Sequence, residues 1–228
     1  MILPFIGMID PVQVIVSAVL LLTAFPIHEY AHGYAAYKLG DDTAALSGRL
    51  SLNPLAHLDP LGAVCMLLFG FGWAKPVPVN PVRFKKVSMK TGMALTALAG
   101  PLSNIILAFI SLCLYKVFWW LNILYGGGGA NFLYFLTMVF RIMTSLNIGL
   151  AVFNLLPVPP LDGSRIIFSF LPERLYWKVM RYENYIRIAL FALIFLGVLD
   201  TPLYYLRYWL LSFLEIFTYP IDLIFKMI

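Results

Sequence analysis

The run His28-Glu29-Tyr30-Ala31-His32 places two imidazoles four residues apart with a carboxylate beside the first. On a helix, residues four apart share a face, so both rings can bind one metal ion while Glu29 reaches a water held by it. The chemistry of such a trio is zinc-assisted hydrolysis, with Glu29 as general base. Chance explains the run poorly: the whole chain has three His and four Glu in 228 residues. The alternative, a pair of hydrogen-bonded core histidines, would bury three ionisable groups in an apolar helix, and that cost usually marks function.

The elements that must position this trio are membrane helices. With 61% hydrophobic and 12% charged residues, the chain lies far from globular composition, where about a quarter is charged; mean hydropathy is +0.87. The expected fold class is membrane all-α: a single integral membrane domain, residues 1–228, built as a polytopic helical bundle. Apolar runs at about 11–38, 91–120, 131–156 and 185–200 supply four core spans, the last of them short against the roughly 20 residues needed to cross hydrocarbon. Residues 203–225 add a fifth helix or one lying in the interface. Residues 40–90 are rich in Pro and Gly, and their apolar patch Leu61 to Trp73 is too short to span, so it reads as a re-entrant element. The net charge of +5 does not imply nucleic acid, because Lys and Arg fall in loops. No basic residue precedes Lys38, so a cleaved signal is not expected. Cys65 and Cys113 sit in apolar segments and read as packed thiols.

Charge sets an expected orientation. Residues 73–90 carry Lys75, Arg83, Lys85, Lys86 and Lys90, and residues 157–187 carry Arg165, Arg174, Lys178, Arg181 and Arg187, which places both on the cytoplasmic side. The connection Asn122 to Asn131, with Gly126 to Gly129 in a row, is uncharged and belongs outside. The first span then runs inward from an outside N-terminus, with His28 and His32 in its inner half. If Leu61 to Trp73 crossed the membrane, this charge pattern would invert.

A catalytic zinc takes three protein ligands and a water. His57, Asp59 and Asp162 are the candidates for the third. Asp162 follows a helix-breaking stretch, Leu155-Leu156-Pro157-Val158-Pro159-Pro160-Leu161, at the inner end of a span and at the depth expected for His32. It is the preferred ligand, over the reading of a surface Asp in a Pro-Gly turn. His57 and Asp59 would crowd the metal and fit loop ordering better.

These two segments resemble the site-2 protease family of intramembrane zinc metalloproteases, whose signature pairs H-E-x-x-H with a distant N-x-x-P-x-x-x-L-D-G. The matches are His28, Glu29 and His32, then Asn154, Pro157, Leu161, Asp162 and Gly163; Gly100-Pro101-Leu102-Ser103-Asn104 resembles a third motif between them. The resemblance covers about residues 11–170 and implies one zinc ion per chain and transmembrane proteins as substrates, cut in the bilayer near the cytoplasmic face. It implies a multi-pass cell-membrane protein of the compact kind, with no PDZ domain in the glycine-rich connection. It also implies that Asn154 holds substrate or the developing oxyanion, a reading level with that of a helix-to-helix hydrogen bond. Asn104 is a second candidate contact. Asn80 ends Lys75-Pro76-Val77-Pro78-Val79-Asn80, which proline forces to be extended and whose free edge could pair with an unwound substrate.

Two rival functions are weaker. A zinc carrier would need further carboxylates within the core spans, and an inactive scaffold would not need an intact Glu29. Arg141, about ten residues into the third span, should snorkel or meet an acid such as Asp200.

Overall fold

The computed structural model describes residues 11–69, 72–126 and 131–227; residues 127–130, which hold most of the glycine-rich connection, lie outside these. Among the described residues there are helices and no strands, and four helices are long and apolar enough to cross a membrane: Val14–Leu39, Met89–Tyr125, Phe132–Asn154 and Asp200–Lys226. The chain divides into two compact units, Met1–Gly100 and Pro101–Ile228.

In the first unit, α1 (Pro11–Val19) and α2 (Phe25–Leu39) are joined by one π-helical turn, Leu20–Ala24. Pro26 is the physical reason. It has no N–H to donate and its ring would meet the carbonyl four residues back, so the helix widens just before it and Phe25 N–H reaches Leu20 O. α2 ends at Gly40, whose φ of 107° only glycine adopts without strain. The chain then passes through α3 (Thr43–Leu46), α4 (Pro54–His57) and α5 (Pro60–Phe69) before returning.

The return point is specific. Lys85 N and Lys86 N both donate to Leu39 O, at 3.1 and 3.4 Å, and Lys86 Nζ donates to Lys38 O. Residues 40–86 therefore leave and rejoin the same end of α2. With ten residues, α5 reaches only about 15 Å, about half the thickness of the hydrocarbon core. The fully buried Asp41 carboxylate holds the two ends together by accepting from Thr43 N at 3.0 Å and Asn80 N at 2.7 Å.

The segment 75–80 is extended, as its prolines require, but forms no strand; its nearest approach to one is an isolated antiparallel bridge between Leu58 and Ala74. Nor is its edge unoccupied. Lys75 N donates to His57 O, Val77 N to the Glu29 carboxylate and Asn80 N to Asp41.

The second unit is a bundle in which α11 (Asp200–Lys226) packs on α7 (Phe132–Asn154). Ala108 and Leu112 of α6 (Met89–Tyr125) join Ile148, Val152 and Leu214 in its buried cluster. In lipid the apolar effect does not drive helices together, so close packing and polar links do. Asn104 Nδ2 donates to Asn147 Oδ1 at 3.0 Å, and Lys116 pairs with Asp222, which also accepts from Trp120 Nε1.

One expectation of span placement is corrected here. Residues 185–200 do not form a helix of spanning length: α10 (Glu183–Phe195) is 13 residues long, about 20 Å, and stops where Gly197 turns left-handed at φ 69°. The fourth long helix is α11, which begins at Asp200 and continues for 27 residues. Two shorter helices, α8 (Asp162–Phe168) and α9 (Glu173–Arg181), fill the stretch between α7 and α10.

Candidate metal centre

The α2 helix puts His28 and His32 one turn apart on the same side. Their Nε2 atoms are 3.0 Å apart and the rings meet edge to face, with centroids 4.6 Å apart. Two imidazole ligands of one tetrahedral zinc would hold their nitrogens about 3.3 Å apart, from bonds of about 2.05 Å. The pair is therefore within about 0.3 Å of the spacing a shared metal would impose.

The tautomer fits as well. His32 Nδ1 lies 2.7 Å from Thr96 O. A carbonyl only accepts, so Nδ1 carries a proton and donates there, and Nε2 is the ring nitrogen that faces His28. Sequence reasoning missed Thr96, since a backbone carbonyl leaves no signature in residue type.

Gly100 is the other neighbour of the rings. A Cβ there would overlap the His32 ring and lie 2.6 Å from His28 Cε1. This glycine is required by close approach, a more specific reason than the general helix contact its small size suggests.

The Glu29 carboxylate accepts from Val77 N at 2.8 Å. Val77 is buried and its Cγ1 would lie 3.2 Å from a Cβ at Gly33, so the extended segment is packed firmly against α2.

In the second unit Asp162 is the first residue of α8, partly buried. The Pro-rich turn before it is tight. A Cβ at Gly163 would run into the Leu155 carbonyl and come within 2.5 Å of Leu156 O, so Leu-Asp-Gly needs its glycine for space. Ser164, fully buried, donates through Oγ to Leu161 O at 2.7 Å and sets the first turn.

The other third-ligand candidates are engaged locally. His57 Nε2 contacts Ser51 O at 2.7 Å, and Asp59 Oδ1 accepts from Leu61 N and Gly62 N at the start of α5. Both order the loop. Asn80 accepts from Val82 N and caps a 3-10 turn, Asn154 Nδ2 donates to Leu150 O in its own helix, and Asn104 is fully buried against Asn147.

A membrane bundle with a zinc-type ligand pair and an adjacent carboxylate defines a class, the integral membrane metalloproteases. The sequence profile of Peptidase family M50 matches residues 16–197. YwhC of Bacillus subtilis, named as a zinc metalloprotease, is 45% identical over 186 residues, covering 80% of this chain and 79% of its own length. Rip2 of Mycolicibacterium smegmatis, named likewise, is 27% identical over 206 residues, 88% of this chain and 74% of its own. MJ0611 of Methanocaldococcus jannaschii is 31% identical over 153 residues, 67% and 69% of the two chains. No solved structure gives a significant match. The chain belongs to peptidase family M50, the site-2 protease family, and is a multi-pass membrane zinc metalloprotease.

Proposed function

We propose that the chain hydrolyses peptide bonds within transmembrane segments of other membrane proteins, near the cytoplasmic face, using one zinc ion held by His28, His32 and Asp162. The observation that carries the reading is the histidine pair itself, with two Nε2 atoms 3.0 Å apart and the His32 tautomer set by Thr96 O. Zinc bound there supplies a water whose pKa falls toward about 7, a nucleophile that hydrocarbon alone cannot provide.

The remaining work falls to side chains. Glu29 Oε takes a proton from the attacking water and returns it to the leaving amine. Its bond to Val77 N–H holds the carboxylate in place until a water or substrate competes for it. Asn154, at the end of α7, is the candidate donor to the substrate or its developing oxyanion; it must release Leu150 O to act. Asn104 serves as helix contact, and Asn80 positions the extended segment beside which an unwound substrate would lie. The cytoplasmic placement rests on the two basic clusters at 73–90 and 157–187.

The test compares membrane-protein fragments from cells carrying the wild type with those from cells carrying Glu29→Gln. Fragments cut inside apolar segments should be present only with the wild type, and a purified Glu29→Gln protein should cleave at least about a thousandfold more slowly while keeping its zinc. Equal cleavage by the variant would remove Glu29 from the mechanism.

A further inference from the structure

The second unit contains a half-open cavity of about 530 Å³ between α6, α7 and α11, within the range that holds a small organic ligand. Its charged lining is Arg141 of α7 with Arg207 and Glu215 of α11. Arg141 has nine residues of α7 before it and thirteen after, about 14 and 20 Å from the two ends. It is more than a side chain's length from either. Among the described residues neither guanidinium has a hydrogen bond or ion pair, and neither is within ion-pair distance of Glu215 although all three face one space. Arg207 is seated by design of the helix opposite: its Cζ would lie 3.3 Å from a Cβ at Gly149, so glycine there leaves room for the guanidinium. A guanidinium so far from both ends of a spanning helix, as Arg141 is, needs a partner.

We propose that this cavity binds one anionic phospholipid, with its phosphate between Arg141 and Arg207 and an acyl chain against Leu112, Ile148 and Leu211. Two guanidiniums against one carboxylate leave a single net positive charge, which matches a phosphodiester carrying one negative charge. The planar forks of arginine suit phosphate geometry, and the hydroxyls of Ser145 and Tyr208, which also line the cavity, can donate to the remaining headgroup oxygens. The apolar wall is what selects a lipid over free phosphate. Basic pockets between membrane helices recognise headgroups in this manner. The site is independent of the zinc chemistry and does not rest on it.

The test is native mass spectrometry of the full chain released from phosphatidylcholine nanodiscs containing graded phosphatidylglycerol. The wild type should retain one phosphatidylglycerol at least tenfold more readily than phosphatidylcholine, and Arg141→Gln or Arg207→Gln should lower that retention at least tenfold. Glu215→Gln should retain it as well as the wild type or better. Should the arginine variants fail to fold, Ser145→Trp, which fills the cavity without removing charge, should lose the lipid likewise. Retention by Ser145→Trp or by the arginine variants equal to wild type would overturn the proposal. So would equal retention of the two lipids, displacement of phosphatidylglycerol by millimolar inorganic phosphate, or a lipid-free dimer in which a second copy covers the cavity.

Discussion

Gly100, beside the histidine rings, and Asp162, the third ligand we propose, carry different predictions about zinc binding. Replacing a helical glycine by alanine ordinarily stabilises by up to about 1 kcal/mol, but at Gly100 the added Cβ would enter the His32 ring and press on His28. The steric effect wins, because the rings cannot retreat without giving up Thr96 O or each other. Gly100→Ala should therefore weaken zinc binding by roughly ten- to a hundredfold, the range seen when groups that orient metal ligands are disturbed; competition with a calibrated chelator measures it. Asp162→Ala should leave the chain folded but lower bound zinc well below one per chain by elemental analysis. Full occupancy with full activity in that variant would move the third ligand elsewhere, and His57 would be the first residue to test.

At the scale of elements, the path of residues 40–86 decides how the first span is read. A hydropathy reading could count Leu61 to Trp73 as a crossing, yet the backbone returns to Leu39 O at Lys85 and Lys86. Both ends should thus be accessible from one face. With Cys65 and Cys113 replaced, single cysteines at Ser47 and at Lys85 should react with an impermeant thiol reagent from the same side, the cytoplasmic one by the charge rule, and one at Phe132 from the other. Ser47 is the better probe than Gly48, which is left-handed at φ 67° and would be strained by any side chain. Opposite-side labelling of Ser47 and Lys85 would make α5 part of a true span.

For the molecule as a whole, zinc should be a source of stability as well as of chemistry, because the ligands we propose come from distant parts of the sequence. A ligand that binds only the folded state at a thousand times its Kd adds about 4 kcal/mol. Chelation should accordingly lower the unfolding temperature of the purified protein, restored zinc should recover it, and Asp162→Ala should respond much less at the same zinc concentration. The sequence by itself determined the class and the bundle of long apolar helices and singled out the H-E-x-x-H trio, because hydrophobic run length and H-E-x-x-H spacing are local properties of residue type. Only the tertiary structure decided that the fourth long helix is 200–226, that Gly100 makes room for the histidine rings, and that Thr96 O sets a tautomer while Val77 N–H holds Glu29. Those depend on backbone groups, which every residue carries alike, and on which atoms approach across 48 or 64 residues of chain, so no pattern of side-chain types records them.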